Sequence, residues 1–97
     1  MVYYSKEVYN LVGYRKSKTK NKMYDAIIRP KHYIGKYKYI PFGDKRYENY
    51  RDMTGLNLYP NLIHNDKERR KRFRARHKRF LKKGYYSPSY FSYYILW

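Results

Sequence analysis

The chain has 97 residues, a formal net charge of +17 and no cysteine. A chain of this length can form one small domain with a modest core, and the absence of cysteine excludes disulfides and thiolate metal sites. The charge favours nucleic acid, acidic protein surfaces or anionic lipid as partners, and no apolar run reaches the about 18–20 residues that cross a membrane.

Residues 1–21 form a basic segment that we place outside the main domain, which spans residues 22–97. Loose alternation of apolar and polar residues in the stretch YYSKEVYNLVGYR predicts a possible first strand in this segment. The segment lacks the apolar run of a signal peptide, so we expect the protein to be made and kept in the cytoplasm or nucleus and not to be secreted.

Two apolar stretches predict a small antiparallel sheet over residues 23–42. The first, MYDAIIR, ends at Pro30, and the residue before a proline favours extended backbone. The second, KYKYIPF, alternates lysine with tyrosine, so that Tyr37 and Tyr39 share one face of a strand. Together with the possible N-terminal strand, these stretches predict an antiparallel β-meander of two or three strands.

Residues 43–63 are rich in glycine, asparagine and aspartate, and we predict that they are mostly loop. Asp44 and Asp52 are acids in a basic chain. We interpret them as local ion-pair partners of Arg46 or Arg51 rather than as catalysts, so we assign no chemistry to this loop.

A long helix is predicted over residues 65–83, a stretch with eleven lysines and arginines and only two acids. Asn65 is the expected N-cap, with Asp66 beside it and Glu68 at the third position of a capping box. The last two lysines would lie at the negative end of the helix, just before a glycine that stops it. A narrow apolar stripe would dock on the sheet or on the C-terminal aromatics, and its members are Phe73, His77, Phe80 and Leu81.

Most of the remaining helix surface carries one sign of charge. A helix charged this uniformly repels itself at i,i+4 positions, which favours contact with an anionic partner over plain solvation. No zinc-finger, leucine-zipper or RNA-binding signature frames these residues, so any contact with nucleic acid would be with backbone phosphate and sensitive to salt. The predicted anion contacts are Arg69, Arg70, Lys71, Arg72, Arg74, Arg76, Lys78, Arg79, Lys82 and Lys83.

Residues 87–97 form a predicted aromatic element. Ser87 and Pro88 are start signals for a second, short helix, whereas the alternation of apolar residues that follows equally suits a strand. The predicted fold class is therefore α+β, with a small antiparallel β-meander, one long basic helix and a short aromatic C-terminal helix. The core or partner anchors expected in this element are Phe91, Ile95 and Trp97.

The candidates for catalysis are weak. His64 stands near Asp66, but no third ligand follows at a metal-site spacing, and His77 lies on the apolar stripe. The chain has no glycine-rich phosphate loop and no serine with a demonstrable histidine and aspartate partner. We therefore expect a protein that is not an enzyme and holds neither metal nor cofactor. A nuclease that uses His64, Asp66 and His77 is a minor alternative.

Four short motifs follow one another in the second half of the chain: IPFGD at 40–44, YRDMTG at 50–55, HNDKERRKRFRARHK at 64–78 and SPSYFSYYILW at 87–97. Over residues 22–97 their ordered combination resembles a family of small basic proteins encoded by giant double-stranded DNA viruses. The resemblance implies a sheet followed by helices and a viral source, and it implies no activity. The motif positions that look structural are Asp66, Arg76, His77 and Trp97.

Two functions from different classes remain open. The first is a non-enzymatic structural component of the virion, a minor capsid or capsid-lining protein that bridges larger viral structural proteins and an anionic surface. The second is a free protein that binds or condenses nucleic acid, such as DNA, through its phosphate backbone. Both use the basic helix, and the first also uses the aromatic C-terminal element for protein contacts.

Overall fold

The fold is described for residues 3–97 by a computed structural model. Most of the strands precede the helices along the chain, and the predicted α+β class is confirmed. Within this range the strands form a three-stranded sheet and a two-stranded sheet. The elements are β1 Tyr4–Ser5, β2 Tyr9–Lys16, β3 Tyr24–Pro30, β4 Lys38–Phe42, α1 Lys67–His77, β5 Tyr85–Tyr86 and α2 Pro88–Phe91.

The three-stranded sheet is an antiparallel meander in the order β2-β3-β4. Ala26 at its centre pairs with Tyr14 on one side and with Ile40 on the other. The predicted meander is therefore confirmed, with three strands rather than two. Strand β2 lies in the 1–21 segment, whose first two residues are outside the described range, and its pairing with β3 joins this segment to the sheet.

One face of the sheet carries the core. Tyr24, Ala26 and Ile28 alternate along β3 and are fully buried, as expected for a strand that is covered on one side. The C-terminal element covers this face, and the ring centroids of Phe42 and Phe91 lie 5.4 Å apart. The core is thus a thin layer of aromatic and branched side chains between the sheet and one short helix.

Tyr24 also organises the loop that follows the sheet. Its hydroxyl donates to Oδ2 of Asp52 and accepts the backbone N–H of Leu58 at 3.0 Å. Burial and the bond to Asp52 raise the pKa of Tyr24 to about 12, so the hydroxyl keeps its proton. The interpretation of Asp52 as the partner of an arginine is wrong, because its carboxylate accepts hydrogen bonds from Tyr24 and Thr54 instead.

The basic helix is shorter than predicted. Helix α1 is followed by one 3-10 turn at Lys78–Phe80, and Leu81 is extended, so the helix does not fill residues 65–83. The chain leaves the helix at this point because β5 must reach β1 to form the two-stranded sheet. Lys82 and Lys83 therefore lie beyond the helix rather than in its last turn.

The N-cap of α1 is Asp66 rather than Asn65. The Asp66 carboxylate accepts the backbone N–H groups of Glu68 at 3.0 Å and Arg69 at 3.2 Å. Asn65 instead adopts a left-handed backbone with a φ of 54°, and its side-chain amide donates to the carbonyl oxygen of Tyr50 at 3.0 Å. Asparagine tolerates this conformation better than most residues. Glu68 is consequently the second helical residue and not the capping-box position.

The C-terminal element is a helix, so the strand alternative is wrong. Ser87 caps it by accepting the backbone N–H of Tyr90 at 3.2 Å, and Pro88 occupies its first turn. Helix α2 then continues into a π-helical turn, Ser92–Leu96. The anchors predicted in this element are buried or packed against the core: Phe91, Ile95 and Trp97.

Gly43 joins β4 to the following loop with a φ of +75°, a conformation that residues with a side chain rarely adopt. A methyl group at this position would also lie 2.8 Å from Cδ1 of Leu96 and 3.0 Å from Sδ of Met23. We expect Gly43→Ala to lower the free energy of unfolding by about 1–3 kcal/mol in chemical denaturation. Gly13→Ala is the control, because nothing lies within 4 Å of a methyl group there. Equal destabilisation by both changes would contradict this prediction.

Candidate anion-binding surface

Seven of the ten basic residues predicted to contact anions are exposed. In the described part of the chain, none of the seven forms an ion pair with a carboxylate. Within residues 3–97, no carboxylate therefore lies close enough to these seven side chains to pair with their positive charges. We call these residues the basic surface: Lys71, Arg72, Arg76, Lys78, Arg79, Lys82 and Lys83.

The other three predicted contacts are half-buried arginines that hold α1 to the rest of the chain. Nε of Arg70 donates to the carbonyl oxygen of Trp97 at 2.7 Å. The guanidinium of Arg74 lies 4.4 Å from the centroid of a tyrosine ring in the C-terminal element. Arg69 forms an ion pair with Glu48 at 2.9 Å. These three guanidinium groups are half-buried, which separates them from the basic surface, where Arg79 and Lys82 also lie near aromatic rings but remain exposed.

Stacked rings dock α1 on Trp97. The ring centroids of Phe73 and Trp97 lie 4.2 Å apart with an interplanar angle of 4°. Those of Phe73 and His77 lie 3.9 Å apart with an angle of 11°. The apolar stripe therefore packs on the C-terminal aromatics, which is one of its two predicted docking sites. Beyond the stack the stripe is poorly covered, since Phe80 is 41 % exposed and Leu81 is half-buried.

A cleft of about 660 Å³ opens between α1, the loop at residues 43–49 and the start of α2. The residues that α1 contributes are spaced three and four positions apart, so they share one face of the helix. The cleft thus brings part of the basic surface together with loop side chains. Its charged lining residues are Lys22, Asp44, Glu48, Arg69, Arg72 and Arg76.

Both acids of the cleft are already paired. Oδ2 of Asp44 lies 2.7 Å from Nη2 of Arg46, which confirms the predicted local ion pair. The hydrogen bonds from Arg46 lower the pKa of Asp44 to about 2. Glu48 forms an ion pair with Arg69 of α1 at 2.9 Å. Arg72 and Arg76 form no ion pair among the described residues, so the cleft presents uncompensated positive charge.

His64 supports the start of α1 as a neutral side chain. Its Nδ1 accepts the backbone N–H of Asp66 at 2.8 Å, and its ring centroid lies 5.0 Å from that of Trp97. Burial and the nearby charge of Arg69 lower the pKa of His64, and burial lowers the pKa of His77. Both imidazoles are therefore neutral near pH 7.

The three residues of the nuclease hypothesis are engaged in structural contacts. The Asp66 carboxylate caps the helix, His64 accepts a backbone N–H, and His77 stacks on Phe73. In residues 3–97, no group of three or more histidines, aspartates and glutamates is placed to hold a metal ion. Helix capping and ring packing thus account for the positions of all three side chains.

The cleft has no signature in the sequence. Its lining comes from four segments that are far apart along the chain: near Lys22, at residues 43–49, along α1 and after Ser87. The one local signal is the spacing of arginines and rings along α1, which places them on a common helical face. Tertiary packing brings the other three segments to that face, and no local sequence pattern marks a loop residue such as Tyr47 as part of the lining.

Comparison of this chain with protein families, with curated proteins and with solved structures finds no match. The resemblance to proteins of giant viruses therefore stays a prediction. In the described residues, no helix has the length and the hydrophobicity needed to cross a lipid bilayer.

The lowered pKa values of His64 and His77 predict that the fold is less stable in mild acid. The unfolded chain binds more protons than the folded chain below the ordinary histidine pKa of about 6.5. The free energy of unfolding is therefore highest above about pH 6.5. It decreases as the pH falls from there through the pKa values that the two histidines have in the folded chain. Chemical denaturation at about pH 7.5 and about pH 5.5 measures the difference.

The control is a double variant, His64→Asn with His77→Phe. Asparagine keeps an acceptor close to the position of Nδ1, phenylalanine keeps a ring that can stack, and neither residue titrates. We expect this variant to lose less stability between the two pH values than the wild type loses. A wild type equally stable at both, or a variant equally sensitive to acid, would contradict the prediction.

Proposed function

We propose that this chain is a non-enzymatic structural protein that bridges an anionic surface and a protein partner. The basic surface is the observation that carries this proposal. Seven exposed cations lie on α1 and the segment after it, and no described carboxylate pairs with them. Phosphate suits this surface well, because guanidinium groups bind phosphate oxygens through paired hydrogen bonds.

Contacts of the basic surface would be with the phosphate backbone rather than with bases. Phosphate contacts position a protein on nucleic acid without reading its sequence. A bound anion would also reduce the repulsion between Arg72 and Arg76, which are four residues apart in the helix. Like charges at that spacing destabilise a helix by about a few tenths of a kcal/mol. A polyanion with regularly spaced charges therefore matches both the chemistry and the layout of this surface.

An apolar surface at the other end of the sheet suits a protein partner. The connection between β3 and β4 exposes Tyr33, Ile34 and Tyr37, and Ile34 has a relative exposure of 106 %. We call this connection, residues 31–37, the sheet tip. Strand β4 leads from it to Gly43 at the cleft, and at a rise of about 3.3 Å per residue the distance from Tyr37 to Gly43 is about 20 Å. Clustered exposed apolar residues commonly mark interaction sites. The two surfaces face different partners from opposite ends of the sheet.

The setting we propose is the virion, on the strength of the resemblance to proteins of giant viruses. A minor capsid or capsid-lining protein would use the sheet tip and the aromatic C-terminal element against larger viral structural proteins. Its basic surface would face the genome or another anionic surface. The alternative, a free protein that binds or condenses nucleic acid, uses the same basic surface without the protein partner.

Titration of duplex DNA at several salt concentrations tests the anion contact. We expect the logarithm of the binding constant to fall linearly with the logarithm of salt, with a slope of about −0.9 for each phosphate neutralised. Replacing Arg72, Arg76 and Arg79 with alanine should make the slope shallower by about 2–3. A binding constant that does not change with salt would contradict the proposal.

A charge-matched triple variant separates the basic surface from the general charge of the chain. Lys18, Lys20 and Lys31 are exposed and lie outside α1, so replacing them with alanine removes the same charge from elsewhere. We expect this control to bind DNA nearly as tightly as the wild type does. Equal losses in the two triple variants would show that the net charge, and not the basic surface, determines binding.

Mass spectrometry of purified virus particles tests the proposed setting. We expect peptides of this chain in particles that have been washed and treated with protease to remove adhering proteins. A companion preparation of infected-cell lysate shows that the chain is made and detectable. Detection in the lysate together with absence from the particles would contradict the virion proposal and favour the free nucleic-acid-binding alternative.

A further inference from the structure

The cleft has the size and shape of a ligand site. Its volume of about 660 Å³ lies within the range of about 300–1,000 Å³ that is usual for such sites. One wall is the face of α1 that carries Arg72 and Arg76, and the loop at residues 43–49 forms another part of the lining. A concave site with cations on one wall can surround an anionic group that a convex helix surface would touch from one side only.

The charges of the cleft select an anion. Asp44 and Glu48 are both held in ion pairs with other arginines, so neither carboxylate is left to neutralise Arg72 or Arg76. Arg72 and Arg76 are exposed and form no ion pair in the described residues, and Lys22 adds a further positive charge to the lining. Two adjacent guanidinium groups provide the forked donors that phosphate oxygens accept.

The cleft also has one aromatic ring available for stacking. The Trp97 ring is 7 % exposed, stacks on Phe73 and also contacts the ring of His64, so little of it is open to a ligand. Tyr47, in contrast, is 66 % exposed and belongs to the same lining, with the guanidinium of Arg46 5.9 Å from the centroid of its ring. An exposed ring beside a cationic groove is the combination that binds unpaired nucleotides, because every base has a face that can stack.

We propose that the cleft holds one nucleotide of a single-stranded nucleic acid, with its phosphate between Arg72 and Arg76 and its base against Tyr47. This inference rests on the proposed function and names the form of polyanion that the chain prefers. A duplex keeps its bases stacked inside the helix, so it can use the basic surface but cannot place a base in the cleft. Single strands should therefore bind more tightly than duplexes of equal length.

The test compares a short single-stranded oligonucleotide with its duplex at one salt concentration, using fluorescence anisotropy. We expect the single strand to bind the full chain several-fold more tightly. Tyr47→Ala should weaken single-strand binding by roughly five- to 150-fold, the range that stacking of one base supplies, and leave duplex binding unchanged. Tyr47→Phe keeps the ring and should retain most of the affinity. Trp97 is the single tryptophan, so its fluorescence reports occupation of the cleft.

A pair of charge-matched variants isolates the cleft from the rest of α1. Arg72→Ala with Arg76→Ala removes two cations that line the cleft, and Lys71→Ala with Lys78→Ala removes two exposed cations that do not. We expect the first pair to abolish the preference for single strands and the second pair to weaken both nucleic acids alike. Equal effects of the two pairs would overturn the inference, even where duplex binding shows that the proposed function holds.

Two further outcomes would also overturn the proposal that the cleft holds a nucleotide of a single strand. If adenosine monophosphate displaces the oligonucleotide at concentrations close to those of the strand itself, the cleft serves a free nucleotide and not a strand. If neither strand nor duplex binds, the proposed function fails and the inference fails with it. Weak displacement by the mononucleotide, together with a shift in Trp97 fluorescence when the strand binds, supports the assignment.

Discussion

The position of the basic helix depends on Trp97. The Trp97 ring stacks on Phe73 at 4.2 Å, its Nε1 donates to Asn49 at 3.2 Å, and its carbonyl oxygen accepts from Arg70 at 2.7 Å. Helix α1 has eleven residues and buries none of them, so it lacks the wide apolar interface that attaches most surface helices. A helix of this length is marginal in water. Trp97, together with the half-buried arginines of α1, therefore holds the helix on the domain.

Aromatic rings and carbonyl oxygens allow so much positive charge to lie close to a small core. The guanidinium of Arg70 lies 4.9 Å from the ring centroid of Tyr50, and that of Arg74 lies 4.4 Å from that of Tyr93. Such contacts are worth about 0.5–1 kcal/mol at exposed sites. Carbonyl groups at the end of the C-terminal element accept from Arg70 and from Arg51 at 3.1 Å, where a helix end favours cations. The tyrosines thus fill the core and also form cation–π contacts with arginines that pair with no carboxylate in residues 3–97.

The features that were predicted correctly from the sequence are those set by neighbouring residues. Alternation along β4 and the proline that ends β3 mark the sheet, and Ser87 with Pro88 marks the second helix through a side-chain cap and a fixed φ. The end of α1 could not be predicted in this way, because it depends on the pairing of β5 with β1 from the far end of the chain. The N-cap was misplaced by one residue because Asn65 and Asp66 are both good caps, and the contact of Asn65 with Tyr50 decides between them.

The cleft and the attachment of the helix share the same side chains. Phe73, His77 and Trp97 line the cleft, and their stacking also holds α1 in place. A ligand that binds only the folded chain raises the free energy of unfolding. The increase grows with the logarithm of the ratio of the ligand concentration to the dissociation constant. An anion between Arg72 and Arg76 would in addition remove the repulsion that opposes helix formation at those positions. Binding of a polyanion should therefore strengthen the attachment of the same helix that makes the contact.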